Sequence, residues 1–164
     1  MGNAYLTRMP VGFPGAVTRQ DQVTLQPEMI DATNGPTAYG TFCKMTSGKV
    51  CKLAGGEAVG DIVGPIARPY PFQAATSEAL GAGTPLLGSV GDIMKRGYMS
   101  VAFAGTTAAK GGQVYVCINV AGGNAVGEIF EGDDGGNNIA VTNCFFMGAA
   151  DADGNVEISY NIER

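Results

Sequence analysis

Histidine and tryptophan are absent from this chain of 164 residues. Without histidine, no Ser-His-Asp or Cys-His arrangement can form, and the usual general base near neutral pH is missing. The glycines form neither a Walker loop nor a dinucleotide-binding motif, because none of their Gly-x-Gly pairs opens a helix after a strand. We therefore expect a protein without enzymatic activity and without a cofactor.

Charged residues are also scarce, at 15% of the chain with a net charge of −5. The ten basic residues are scattered, and only Lys95 and Arg96 are adjacent. Because contacts to phosphates need clustered lysine and arginine, this pattern argues against a nucleic-acid partner. No segment approaches the run of ~20 apolar residues that spans a membrane, and the first residues lack a signal-peptide pattern. We expect synthesis in the cytoplasm and no membrane partner.

Glycine, in contrast, is abundant, with 26 residues dispersed through the chain. Its spacing beside valine, isoleucine, threonine and tyrosine is typical of turns between short strands, and no segment has a 3.6-residue amphipathic period. Strands are predicted at residues 23–26, 41–45, 49–53, 58–70 (running into a proline-bounded loop), 92–103, 113–120, 126–130, 139–141, 144–148 and 156–162. Short strands at this spacing predict an all-β fold, a single sandwich or barrel.

The four cysteines have no C-x-x-C spacing and no histidine partners, which does not favour a zinc site. They fit better as small buried hydrophobic residues on strands. Two alternatives stay open. A three-residue loop at residues 46–48 would place Cys43 opposite Cys51, and cross-links to a neighbouring chain can form in an oxidising medium. The candidates for a disulfide or cross-link are Cys43, Cys51, Cys117 and Cys144.

Two acidic segments are candidate metal sites. Residues 151–155 resemble a calcium-binding loop, but glycine falls at the fourth position and Ile162 replaces the bidentate glutamate. A hairpin turn fits this segment better, because Asp-Gly and Asn tolerate positive φ. The carboxylates of Glu131, Asp133 and Asp134 can attract a cation, but a solvated loop accounts for them. We predict no metal site.

The first 20 residues differ in character from the rest. Two prolines and two glycines between positions 10 and 15 exclude both a helix and a central strand. The segment nevertheless carries apolar side chains, which predicts an extended arm over residues 1–20 that lies on a neighbouring subunit. Residues 21–164 then form a single β domain. Its longest loop covers residues 71–90, with a single helical turn suggested at 76–80.

Four stretches of the chain, taken together and in order, resemble the structural cement (capsid decoration) proteins of tailed bacteriophages. They are GFPGAVTR at residues 12–19, VGPIARPYP at 63–71, RGY at 96–98 followed by KGGQVYV at 110–116, and FFMGAADADGNVEI at 145–158. The resemblance covers nearly the whole chain.

This resemblance implies a jelly-roll-like β domain on the outside of an icosahedral head. Such proteins are not enzymes; they bridge neighbouring major capsid subunits and form homo-oligomers, leaving a dimer or a trimer open here. The expected location is the exterior of the virion. The arm and the loop at 68–90 are the expected contact regions, since arms and proline-bounded loops can lie across a seam between subunits. The candidate contact residues are Tyr5, Arg8, Met9, Phe13, Arg19, Arg68, Tyr70 and Phe72.

A second hypothesis is a surface-exposed β module that binds a host glycan or receptor. Carbohydrate sites favour exposed aromatic side chains with amide and carboxylate partners. The absence of tryptophan weakens this alternative.

Overall fold

The computed structural model describes residues 11–69, 83–120 and 123–162. Strands make up 42% of the chain and helix 4%, which confirms the all-β prediction. The strands are β1 (Thr24–Met29), β2 (Phe42–Thr46), β3 (Lys49–Lys52), β4 (Ile62–Pro65), β5 (Val90–Ala102), β6 (Gln113–Cys117), β7 (Ile129–Phe130), β8 (Asn138–Phe146) and β9 (Asn155–Asn161). Two short 3-10 helices lie at Gln20–Gln22 and Val59–Asp61.

The strands form two antiparallel sheets that pack as a β sandwich. The large sheet has the order β1-β5-β9-β8-β6-β7, and the small sheet has the order β3-β2-β4. Burial alternates along β9: Val156, Ile158 and Tyr160 are buried and their neighbours are not, so one face of the strand lies in the core. Most of the buried apolar side chains belong to one continuous cluster that both sheets line.

Strand β8 joins two segments that the sequence predicted as separate strands. Asn143 lies between them with φ +51, in the left-handed region that asparagine tolerates. The register of β6 against β8 shifts at this point, and the Gln113 side chain donates hydrogen bonds to the carbonyls of Val141 and Cys144 on either side. Between the pairings on either side of this shift β8 contains three more residues than β6, so Asn143 lies in an enlarged β-bulge, which lets one strand continue past the break.

Strand β5 is strongly bent. The Ala67 N–H donates to the carbonyl of Asp92, while the next N–H, of Arg68, donates to Gly15, whose own N–H donates to Ser100. In a straight strand Asp92 and Ser100 would be about 26 Å apart, farther than this short chain of bonds can span. The bend falls at Gly97, whose φ is +140 and which the backbone of Gln22 approaches closely. A glycine without a Cβ permits both this φ and this close approach.

The β2–β3 hairpin has a different register from the one predicted. Thr46 pairs with Lys49, so the loop contains two residues, Ser47 and Gly48, with φ +51 and +74. Such positive φ values are those of a type I′ turn, whose twist matches that of the strands. Cys43 consequently pairs with Lys52 and Cys51 with Lys44. The prediction that Cys43 faces Cys51 is wrong, because adjacent residues of a strand point to opposite sides of the sheet.

Residues 11–20 lie on their own domain. The Gly15 N–H donates to Ser100, Thr18 donates to Tyr98, and Val17 forms a bridge with Met99. These residues therefore continue along the edge of β5 that β1 occupies farther on. For this part of the chain the prediction of an arm on a neighbouring subunit is corrected, because the open edge of β5 supplies the hydrogen bonds. Residues 1–10 lie outside the described residues, and for them the arm stays a prediction.

A buried ion pair fastens the segment that follows β3. Lys44 Nζ lies 2.7 Å from Glu57 Oε1, and the Glu57 carboxylate also accepts the N–H groups of Ala54 and Gly55. Burial alone would raise the pKa of Glu57, but the hydrogen bonds from Lys44 and from these backbone groups outweigh it and lower the pKa. The carboxylate is thus held in its charged form.

We expect Glu57→Gln to lower the free energy of unfolding at neutral pH by about 2 kcal/mol, since three donors lose a charged acceptor. Because the pKa in the folded state is below the ordinary value of 4.5, this stabilisation is present above that value and is lost as the pH falls through the lower folded value. Urea unfolding of both proteins at about pH 6 and about pH 3.5 should show the difference shrinking in acid. Glu28→Gln, at a strand-surface carboxylate, is the control; a gap for Glu57→Gln that does not shrink in acid contradicts the interpretation.

Candidate functional site

Three of the eight predicted contact residues, Phe13, Arg19 and Arg68, lie in the described part of the chain. The other five, Tyr5, Arg8, Met9, Tyr70 and Phe72, lie outside the described residues, as does the helical turn predicted at 76–80. Their role as contacts stays a prediction. The structure places Phe13 and Arg68 next to each other, close in sequence to residues 70–82. Arg19 lies at a different place, on the large sheet.

Phe13 and Arg68 are brought together. The Arg68 guanidinium lies 5.5 Å from the ring centre of Phe13 and 5.6 Å from that of Tyr39, at cation–π range of both. The N–H of Arg68 donates to the carbonyl of Gly15, which fixes the N-terminal segment beside residue 68. Phe13 keeps 44% of its surface exposed. The result is an exposed aromatic ring that a neighbouring arginine holds in place.

Arg19 has a different environment. Its guanidinium stacks 3.8 Å above the ring centre of Tyr98 and forms a two-pronged ion pair with Glu157 on β9. The hydrogen bond that Arg19 donates to Glu157 raises the pKa of Arg19 against the opposing effect of burial. Thr18 donates to the same carboxylate at 2.6 Å. Arg19 thus fastens the N-terminal segment to its own sheet, and its predicted role as a contact to another protein is not needed to account for it.

An exposed apolar cluster lies where β1 ends and β5 begins. Met29 pairs with Val90 across the two strands, and their side chains are 45% and 63% exposed. Leu86 (66% exposed) and Leu87 (43%) precede β5, and the Ser89 N–H and hydroxyl both reach back to the Leu86 carbonyl. The sequence predicted the region, as part of the 68–90 loop, but none of these four residues. Nothing in the local sequence marks Met29, because only its pairing opposite Val90 places it in this apolar cluster.

Both groups include residues that lie just before or just after residues 70–82 in the sequence. The described residues end at Pro69 and resume at residue 83, and the Ala67 N–H donates to Asp92, two residues after Val90. A side chain at Gly91 would meet both Ile30 and Ile66, so the start of β5 lies beside the residues that precede Arg68. We call the six residues around this point the loop-base surface. It consists of Phe13, Met29, Arg68, Leu86, Leu87 and Val90.

The four cysteines are free thiols, each no more than 5% exposed. Burial raises the pKa of Cys43 to about 12 and that of Cys144 well above its ordinary value. Both features suppress the thiolate that oxidation requires. They fit the interpretation of small buried hydrophobic residues, while a cross-link to a neighbouring chain stays a prediction that would require these side chains to become exposed.

The carboxylates of the two acidic segments accept hydrogen bonds from backbone N–H groups of the same chain. Asp151 Oδ1 accepts the N–H groups of Asp153 and Asn155, as expected for a hairpin turn. Glu131 Oε1 accepts the N–H groups of Thr106 and Thr107, and these bonds lower the pKa of Glu131 against the effect of burial. Within residues 11–69, 83–120 and 123–162, no three His, Cys, Asp or Glu side chains are close enough to hold a metal ion. In the same ranges no helix is long and apolar enough to cross a membrane.

Five exposed apolar side chains, those of Phe13, Met29, Leu86, Leu87 and Val90, belong to the loop-base surface of this β sandwich. Exposed apolar groups of this kind are typical of a domain that associates with another protein. The family model described as the XM1 gp53 minor capsid protein matches residues 2–160. This chain belongs to that family, and it is a structural protein of a phage capsid, found in the virion.

A solved structure has the same fold. A chain from the capsid of the Myoviridae phage XM1 superimposes with a TM-score of 0.68 and 19% sequence identity, over 98% of this chain and 97% of that one. No curated protein matches the chain. The fold of this chain is therefore one already seen in a phage capsid. Membership of a family of structural capsid proteins suggests a protein that is not an enzyme.

Proposed function

We propose that the protein is a cement, or decoration, protein that binds the outside of the phage head and bridges neighbouring major capsid subunits. The observation that carries the proposal is the loop-base surface: four exposed aliphatic side chains beside an exposed phenylalanine. Family membership supplies the partner class, since a minor capsid protein associates with other capsid proteins. Its jelly-roll-like connectivity and its homo-oligomeric state, as a dimer or a trimer, are parts of the same proposal.

The energetics of such a surface suit a protein present in many copies. Withdrawing each exposed aliphatic side chain from water contributes on the order of 1 kcal/mol, at about 25 cal/mol per Å² of apolar area. Association costs several kcal/mol of lost translational and rotational freedom, so one small patch binds weakly by itself. Oligomerisation makes the later contacts intramolecular and multiplies the affinity without any new contact. A homo-oligomer that bridges several capsid subunits therefore binds the head more tightly than a single copy does.

The proposal is tested by mixing the purified full chain with empty, expanded phage heads and measuring co-sedimentation. We expect binding that saturates at a fixed number of copies per head and that tightens when the chain is oligomeric. Heads already carrying their native complement serve as the control and should bind little more. Heads that collect no protein at saturating concentration would contradict the proposal.

The predicted arm is tested by a deletion that ends at residue 10, because the described residues begin at residue 11. Removing residues 2–10 leaves every described contact of residues 11–20 in place, including the bonds to Ser100 and Tyr98. We expect an unchanged melting temperature and a loss of affinity for heads of about tenfold, the effect of ~1.4 kcal/mol. Unchanged affinity would remove Tyr5, Arg8 and Met9 from the contacts. Removing residues 2–19 would be a poorer experiment, because it also takes away the Arg19–Glu157 ion pair.

A further inference from the structure

An open groove of about 460 Å³ crosses the outer face of the large sheet, and none of its lining residues belongs to the loop-base surface. Its shape follows from the register of three neighbouring strands. Tyr98 on β5 pairs with Ser159 on β9, which pairs with Phe145 on β8, so these three side chains form a row on one face. A small residue between two aromatic ones leaves a hollow about 10 Å across, two strand spacings. Ser159 forms its floor.

The two aromatic walls differ. Arg19 stacks on the ring of Tyr98 and is itself held by Glu157, so this wall is rigid and one face of its ring is covered. Phe145 is 40% exposed, and its ring is the apolar platform of the groove. Side chains fixed in this way lose little conformational entropy when a ligand binds, which favours affinity.

Polar side chains line the rest of the groove, chiefly Gln22, Arg96, Asn143 and Asn161. Gln22, Arg96 and Asn143 are exposed, and across the described part of the chain none of the three uses its side chain in a hydrogen bond or an ion pair. Asn143 is held at the rim by the β8 bulge, whose flanking carbonyls are bonded to Gln113. The groove therefore combines one apolar ring with uncommitted amide and guanidinium groups.

We infer that this groove binds a neutral hexose oligosaccharide. A hexose ring has an apolar C–H face and a rim of hydroxyl groups that both donate and accept hydrogen bonds. Phe145 suits the face, and the amides of Gln22 and Asn143 suit the rim because an amide offers both donors and an acceptor. Arg96 adds further donors. A small apolar wall with a few convergent polar groups is the general pattern of a ligand site.

Charge favours a neutral sugar over an acidic one. The chain carries a net charge of −5, and Arg19 beside the groove is already neutralised by Glu157. Arg96 supplies only one positive charge, and the net negative charge of the protein repels a polyanion. The inference does not depend on the proposed binding to heads.

The test is a binding screen of the full chain against neutral hexose oligosaccharides and, as a matched set, uronic-acid oligosaccharides, followed by calorimetric titration of the tightest neutral glycan. We expect a dissociation constant at or below about 1 mM, equivalent to −4.1 kcal/mol. Phe145→Ala, Arg96→Gln and Asn143→Gly should each weaken it by about fivefold or more. Asn143→Gly removes the amide while keeping the positive φ that the bulge requires.

Phe13→Ala is the control, because Phe13 is exposed to a similar degree but belongs to the loop-base surface. It should leave sugar binding unchanged, whereas Phe145→Ala should leave head binding unchanged, so failure of one proposal is distinguishable from failure of the other. Three results would overturn the inference: no neutral glycan binding within about 1 mM, tighter binding of the uronic-acid set, or neutral binding that the three groove variants do not alter. A change in oligomeric mass caused by Phe145→Ala would overturn it too, because the groove would then be an interface between copies.

Discussion

Placing two carboxylates on the loop-base surface should abolish binding to phage heads. In the variant Leu86→Asp with Val90→Asp, the two most exposed side chains of the apolar cluster become charged. Burying an unpaired carboxylate against a protein surface costs at least 1–3 kcal/mol per group, and the apolar contribution of each side chain is lost as well. We expect affinity for empty heads to fall by about a hundredfold or more, as ~2.8 kcal/mol implies. Co-sedimentation at increasing protein concentration measures it.

The fold should survive this change, because both side chains are more than 60% exposed. Substitutions at exposed positions without special contacts usually alter stability by less than about 0.5 kcal/mol. Val120→Asp is the matched control: Val120 is 74% exposed and lies outside the loop-base surface. The control should bind heads normally. If the double variant keeps full affinity with an unchanged melting temperature, the loop-base surface is not the contact.

The sequence predicted the architecture well because the information is local. Glycine turns and two-residue alternation define β9 and the β2–β3 hairpin without reference to the rest of the fold. It predicted registers less well, because register depends on the type of turn. The order Thr46-Ser47-Gly48 fits a three-residue loop as readily as the two-residue loop that forms. A shift of one residue moves Cys43 and Cys51 to opposite sides of the sheet.

The N-terminal segment shows a different limit. Residues 11–15 form no helix, as the prolines and glycines of this segment predict, and its apolar side chains indicated that it packs against some protein surface. The surface on which the segment packs is the edge of β5 that β1 leaves open. Whether such an open edge exists is a property of the assembled sheet and not of the local sequence. The Ser100 carbonyl accepts the N–H of Gly15, and the Ser100 N–H donates to the carbonyl of Ala16 in the same chain. Local composition cannot distinguish an edge in the same domain from one in a neighbouring copy.

Two of the six residues of the loop-base surface could be predicted from the sequence. Phe13 and Arg68 are an aromatic ring and an arginine on irregular segments, and the structure brings them together. Met29 is in a strand that alternates poorly, and its exposure beside Val90 follows from pairing across β1 and β5. The groove between Tyr98 and Phe145 was invisible in the sequence, since those residues are 47 positions apart and meet only through β9.

A side chain at Gly64 should disrupt the sandwich more than any surface change. Gly64 lies in β4 with φ +135, in a conformation that residues with a Cβ rarely adopt. A Cβ there would overlap the carbonyl oxygen of Met94 on β5 and crowd Ile93. Backbone strain costs roughly 1–3 kcal/mol, and overpacking in a close-packed core costs a similar amount. We expect Gly64→Ala to lower the free energy of unfolding by about 3 kcal/mol or more.

The size of that loss follows from the role of the site in joining the two sheets. Strand β4 belongs to the small sheet and β5 to the large one, and they approach each other where Ile66 bridges Ile93 and Lys95 donates to Val63. For a chain of this length, ~3 kcal/mol corresponds to a fall in melting temperature of about 6–12 °C, which calorimetry measures directly. Gly60→Ala, four residues earlier, is the matched control, because its backbone is not left-handed and nothing lies within reach of its Cβ. Equal stability of the two variants would mean that the close approach of β4 to β5 is not what fixes the packing of the sheets.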